Sequence, residues 1–315
     1  MNVITSRTAT IYLMSPPRRD WALRGRANFK SRAAAAVDPE QARREWSALA
    51  DAIVAAGGEV AVMPPGDAAL TGMIYTAEAG EFFRDAQGGG RFMLPSMAAE
   101  HRRGEADHIA RFVEETLGLA THTVGVTWEA QGDAIRTAHG HAIVHTYGVG
   151  PDARTADEAY DKVADLLSPQ HLQIAFRADP WFHGNTFLQF FRRGARAIML
   201  VCPEALEPGE YERLLAFVGE LPVVELSRAQ SEGYDTNALQ VGETILAPMT
   251  FSNDAREAAR RLDLDVVTLD LGELFSKGGG APVCLTNRMW GLEVAELPDH
   301  VRWSRNPSIE AHTDL

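Results

Sequence analysis

The sequence predicts a single α/β domain, residues 1–315, built from loosely repeated modules. Three observations carry this expectation. Short apolar runs alternate with longer stretches of helical period. The runs come in strand–strand–helix–strand groups rather than as single strands and helices in turn. No low-complexity linker divides the chain.

The elements follow in order. "TATIYLM" (8–14) reads as a buried strand stopped by Pro16-Pro17. "DPEQARREWSALADAIVAAGG" (38–58) is the clearest helix, with Asp38 as N-cap, Pro39 in the first turn and Gly57-Gly58 closing it. "EVAVMPP" (59–65) is a strand, "MIYTAEAGEFF" (73–83) a strand whose end bears Glu78, and "AAEHRRGEADHIARFVEETLG" (98–118) a helix with a solvated, charge-rich face. A hairpin is expected over 134–148 and a helix opening on Thr155 over 155–167. Strands follow at 172–178, 186–191 and 197–203, a helix at 208–220, strands at 222–226 and 243–248, a helix at 253–263, and a strand at 265–271. Behind Gly278-Gly279-Gly280, "APVCL" reads as one more short strand. Glycine loses the most backbone freedom on folding. Three in a row therefore mark either a hinge or backbone that must pass close to something.

Composition narrows the classes of function. The chain is 45% hydrophobic and 23% charged, an ordinary globular profile. Its formal net charge of −13, with no basic stripe, argues against a nucleic-acid partner. No apolar run reaches the roughly 18–20 residues that span a bilayer. No secretory leader is legible, so the expected location is cytoplasmic. Two cysteines, Cys202 and Cys284, exclude a disulfide framework and a multi-cysteine zinc site. His139, His141 and His145 alternate along the hairpin, but Gly140 and the lack of a nearby carboxylate argue against a metal site.

Four places put chemically capable groups at strand ends beside glycine: Glu78 in "TAEAG", Glu129 and Asp133 in "WEAQGDAI", His183 and Asn185 in "DPWFHGNTF", and Cys284. Each has a bland alternative. A carboxylate at a strand end is usually solvated, an Asp after Gly forms turns, and a free cysteine is usually packing. Together they form a thiol nucleophile, an imidazole to shuttle protons, a carboxylate to orient it, and a second carboxylate able to hold a planar cation. Cys202, in "AIMLVCPEAL", is expected to be packing.

The order and wording of these motifs resemble the guanidino-modifying enzymes of the pentein superfamily, which includes arginine deiminase, dimethylarginine dimethylaminohydrolase, the arginine dihydrolases and the amidinotransferases. "YLMSPPRRDWALRGRANF" resembles the family's opening strand and its Asn-bearing loop. "IYTAEAGEFF", "EHRRGE", "WEAQGDAI", "ARTADEAY", "FHGNTF" and "GGGAPVCLT" resemble successive family motifs in the family's order. The resemblance implies a five-module α/β-propeller and needs no metal or organic cofactor. It makes Cys284 the nucleophile, His183 the general acid/base and Glu129 its carboxylate partner. Glu78 falls where the family holds the guanidinium and Arg154 where several members grip a substrate carboxylate, with Asp133, Asn185 and Asn28 as further substrate-binding positions. The implied activity is hydrolysis of a C–N bond of a guanidino compound. An amidinotransferase and a non-catalytic binding protein are the alternatives, and the oligomeric state, a homodimer among the possibilities, stays open.

The sequence also departs from the family. Glu78 is one methylene longer than the usual Asp or Asn. Asn185 stands where many deiminases have a second acid, which weakens the grip on an unmodified guanidinium by ~1.5–3 kcal/mol. An arginine common just before the "RRGE"-like helix is replaced around Met97. Free arginine is therefore expected to be a poorer substrate than a modified guanidino compound.

Overall fold

The computed structural model describes residues 9–137 and 142–313. Thr8 of the first predicted run, and His139 and His141 of the hairpin, lie outside the described residues. Strand β1 (Ile11–Met14) pairs in parallel with β2 (Glu59–Val62), and between them run a short helix α1 (Phe29–Ala33) and the long α2 (Pro39–Ala55). The α2 cap is the one the sequence predicts. The Asp38 side chain accepts from the backbone N–H groups of Glu40 and Gln41, while Trp46, Leu49 and Ile53 turn inward.

The same plan then repeats. In order come β3 (Glu81–Arg84), β4 (Gly90–Leu94), α3 (Glu105–Arg111) and β5 (Ala120–Thr123). After them come β6 (Ala134–Arg136), β7 (Ala142–Val149), α4 (Tyr160–Leu167) and β8 (Gln170–Arg177), then β9 (Leu188–Arg193), β10 (Arg196–Val201), α5 (Glu210–Val218) and β11 (Val223–Glu225). The short α6 (Arg228–Glu232) leads to β12 (Leu239–Val241), β13 (Thr244–Pro248), α7 (Asn253–Arg261) and β14 (Asp265–Leu269). In each group the first two strands are antiparallel and the third returns parallel to the second after a helix. Finally β15 (Asn287–Arg288) comes back to pair antiparallel with β1, and α8 (Glu310–Thr313) follows. The sheet β15–β1–β2 is thus a fifth copy of the module, assembled from both halves of the chain. Five such modules make the pentein α/β-propeller.

The inner strand of each module, β3, β6, β9, β12 or β15, is preceded by a tight turn, and these turns meet at the hub. Hydrogen bonds tie one to the next. Gly184 N–H donates to Asp133 Oδ1 (2.9 Å), Asn237 Nδ2 to Asn185 O (3.2 Å), Cys284 N–H to Asn237 Oδ1 (3.0 Å), and Ala77 N–H to Cys284 O (3.1 Å). Buried backbone groups at strand starts need partners, and here the neighbouring modules supply them.

Three expectations are corrected. Residues 73–83 are not one strand: Thr76–Ala79 forms a 3₁₀ turn, and β3 starts only at Glu81. "APVCL" is likewise a turn, closed by Leu285 N–H to Ala281 O (3.1 Å), with strand pairing delayed to Asn287. In both, side-chain and backbone bonds to adjacent turns win over local strand preference. The helix expected over 98–118 is a 3₁₀ turn (Glu100–Arg102), then α3, then a π-helical turn (Phe112–Thr116). Its supposedly solvated face includes buried Arg102 and Glu105. Among the described residues no helix is long and apolar enough to cross a membrane.

Candidate active site

The hub turns carry the chemistry. Cys284, His183, Glu78 and Arg154 line one pocket, and Glu129 lies buried behind His183. The glycine run has a steric reason. A Cβ on Gly279, which has φ +85, would lie 2.6 Å from the Asn28 side chain, and one on Gly280 would lie 2.6 Å from the Tyr75 ring. The backbone passes against the pocket wall here, and only glycine fits.

His183 Nε2 meets Glu129 Oε2 at 2.7 Å. Glu129 is held in turn by the N–H of Ala98 to Oε1 (3.0 Å), by Thr155 Oγ1, which accepts from its own N–H (3.1 Å), and by Arg154 Nη1 at 3.7 Å. Burial opposes its charge, but the bond to His183 and the surrounding cations pull its carboxyl down to about 2. Burial likewise disfavours the imidazolium. The carboxylates of Glu78, Asp133 and Glu129 outweigh it and raise His183. His183 Nδ1 is 3.4 Å from Glu78 Oε1 with no aligned hydrogen bond, so this nitrogen remains available to a reacting group.

Cys284 is the reverse case. Burial first, and then the charge of Glu78, push its thiol well above its ordinary range. The largest opposing influence is Asn237, whose Nδ2 lies 3.1 Å from Sγ while its Oδ1 fixes the Cys284 N–H; the Ala281 backbone and the charge of Arg102 act the same way. These surroundings thus favour the thiol form of Cys284 and the protonated form of His183. A cation brought in beside the sulfur favours its ionisation.

Glu78 differs most from its expected role as a free anchor. Its Oε2 is paired with Arg102 Nη1, and Arg102 also holds Glu105 through Nη2–Oε2 at 2.7 Å and donates to Gly72 O. The negative charge facing the pocket is thus shared with a buried arginine. Asp133 was expected to anchor substrate N–H groups, but its oxygens accept from Thr146 Oγ1 (2.7 Å), Thr155 Oγ1 (2.6 Å) and Gly184 N–H. It positions the His183 turn instead. That also explains why Thr155 does not cap the helix after it. Asn28 borders the pocket, yet its side chain caps α1 and donates to Gly278 O (3.1 Å). Asn185 lies off the catalytic pocket wall, with Oδ1 3.8 Å from Cys284 Sγ and Nδ2 unpartnered. Cys202 is buried in the core.

Sequence reasoning missed Asn237, Arg102 and Tyr75. The signal for Asn237 was legible: "DTNALQV" repeats the small polar turn and following strand of "GNTFLQF". Arg102 lies in the family-like "EHRRGE" stretch, but its charged helix start reads as a solvated face. Among the described residues no cluster of histidine, cysteine and acidic side chains is suited to holding a metal.

Residues 26–290 match the model of the family described as N,N dimethylarginine dimethylhydrolase, eukaryotic. The chain belongs to this family, within the pentein superfamily of proteins acting on guanidino groups. An uncharacterized Caenorhabditis elegans protein, ZK1307.1, is 22% identical over 255 residues, covering 80% of this chain and 85% of that one. Among solved structures, the N-terminal domain of ArgZ, a cyanobacterial arginine dihydrolase, superposes with a TM-score of 0.78 at 20% identity, covering 89% of this chain and 97% of that one. The Pseudomonas aeruginosa DDAH in complex with citrulline superposes at 0.67 and 17% identity, covering 90% and 100%. At these identities the superpositions establish the fold.

Proposed function

We propose that the protein hydrolyses a C–N bond of a guanidino compound through a covalent intermediate on Cys284. The observation that carries this reading is the convergence, on one pocket, of a thiol supported by Asn237 and an imidazole held by Glu129. The family match supports a guanidino substrate, and its description favours an arginine substituted on the guanidino group.

The guanidinium enters beside Glu78 and lowers the Cys284 pKa, and the thiol loses its proton to solvent. Sulfur adds to the electron-poor carbon. His183 gives a proton to the departing amine, leaving a thiouronium-type adduct on Cys284. His183 then takes a proton from water, which attacks that adduct and frees the thiolate. Glu129 keeps the imidazole charged and oriented through the first half of the cycle. Arg154, with exposed Arg24 at the mouth, provides positive charge for a substrate carboxylate.

A substituted guanidine is favoured over free arginine because Glu78 is the one acidic side chain bordering the catalytic pocket among the described residues, and Arg102 already shares it. A second reading, an arginine dihydrolase, is kept because ArgZ superposes well. Product analysis on a panel of guanidines separates the two. Alkylamine plus a citrulline-type urea is the expected result with a substituted arginine. Ammonia and ornithine from arginine, at higher kcat/KM, would favour the second reading. No turnover of any guanidine would remove both.

A further inference from the structure

A buried thiol that ionises needs hydrogen-bond donors, because the sulfur anion can only accept. Asn237 provides one, with Nδ2 at 3.1 Å from Cys284 Sγ. The ionisable groups whose charges reach the sulfur are Glu78, Arg102, Tyr75 and Tyr234. None of them supplies a second donor. Glu78 opposes the charge, Arg102 is engaged by Glu78, Glu105 and Gly72 O, and Tyr75 donates to Gly278 O. The buried Tyr234 hydroxyl makes no hydrogen bond to the sulfur or to any other group. His183 is committed through Nε2 to Glu129, with Nδ1 left for the reacting groups.

Asn185, in the turn before β9, flanks the sulfur from a different module. Its backbone is pinned, since Thr236 Oγ1 (3.1 Å) and Asn237 Nδ2 (3.2 Å) both donate to its carbonyl. Its side chain is held far less. It is buried, Oδ1 accepts from the Cys284 thiol at 3.8 Å, and Nδ2 has no hydrogen-bond partner. An unpaired buried amide calls for a group that pairs with it in another state of the site. The last torsion of asparagine is broad and roughly two-fold, so a half-turn exchanges Oδ1 for Nδ2 in the same place. With sulfur protonated, Oδ1 accepts the S–H. With sulfur ionised, Oδ1 would face an anion, and Nδ2 is the end that bonds.

We propose that Asn185 is a positioning residue for Cys284: its amide accepts from the thiol and, turned over, donates to the thiolate, which then lies between the amides of Asn185 and Asn237. Only the S–H bond breaks, and its proton goes to solvent as in the scheme above. An ionised acid at position 185 would instead repel the thiolate. The inference rests on the proposed covalent role of Cys284, but it is read from thiol ionisation itself, without a substrate.

The test is iodoacetamide alkylation of the full chain between pH 6 and 10, quantified on the Cys284 peptide, with thermal melting as the check on folding. Asn185→Leu keeps the bulk behind the sulfur and removes both ends of the amide. Alkylation should fall about tenfold wherever the thiol is mostly protonated, as expected for loss of one hydrogen bond to a charged group. Asn185→Ala provides the same check should the first variant melt early. Asn185 does not border the catalytic pocket, so kcat on the best guanidine should fall by a similar factor with KM unchanged. Slower alkylation in a protein that turns over no guanidine would support the inference while removing the guanidine reading. Equal alkylation in wild type and the folded variants overturns the inference, and a raised KM with unchanged alkylation would make Asn185 a substrate contact instead.

Discussion

Replacing Glu129 by Gln removes one negative charge that lies 2.7 Å from His183 Nε2 and keeps a side chain of the same shape. A hydrogen bond to a charged group is worth about 1.5–3 kcal/mol. At 1.36 kcal/mol per pKa unit, its loss lowers the His183 pKa by roughly one to two units. The sign follows from the site. His183 is raised because its carboxylate neighbours outweigh burial, so removing the closest of them lowers it. The imidazolium must be present to protonate the leaving amine. The basic limb of the kcat–pH profile therefore moves to lower pH by about one to two units, and turnover on the alkaline side of neutrality falls roughly ten- to hundredfold. Steady-state kinetics between pH 5 and 10 on the best guanidine, with circular dichroism as a check on folding, provide the assay. A variant whose plateau drops while the basic limb stays in place would refute the reasoning, because Glu129 would then only orient the ring.

Cys284→Ser should fold normally and lose turnover by several orders of magnitude, since a serine hydroxyl is hardly ionised at neutral pH. Cys202→Ala should instead cost about 1 kcal/mol of stability with kcat/KM unchanged, measured by urea denaturation alongside the rate assay. Asn237→Ala removes the donor to Sγ and leaves the Cys284 N–H unpaired. Iodoacetamide alkylation of Cys284 and kcat/KM should both fall about ten- to hundredfold, and unchanged alkylation would show that Asn237 does not stabilise the thiolate. Arg102→Met leaves Glu78 and Glu105 buried without their shared counter-charge, so urea unfolding should report a loss of about 3–5 kcal/mol; a stability equal to wild type would contradict the burial of that triad.

The outer parts of each module were the most legible in the sequence. α2 announces itself through the Asp38 cap, Pro39 in the first turn and the closing Gly57-Gly58, and long strands such as β7 and β8 through their apolar runs. The inner strands were harder. β15 has two residues and β12 three, too few for any period, and they are held by bonds to other modules rather than by their own pattern. At the site, residues with unusual neighbours stood out, as Cys284 did behind three glycines and His183 beside Gly184. What no sequence reading assigns is how acids share cations. Glu78 read as a free anchor because Arg102, 24 positions away, looked solvated, and Asp133 read as a substrate contact because its hydroxyl partners, Thr146 and Thr155, come from other segments.

Acid-quenched turnover followed by peptide mass analysis tests the covalent mechanism most directly. With a substituted arginine as substrate, the account predicts an adduct of the amidino-bearing fragment on the peptide containing Cys284, absent from Cys284→Ser and accumulating when the second half of the cycle is slowed. Turnover with the Cys284 peptide unmodified at full sequence coverage, or an adduct carried by another residue, would contradict it.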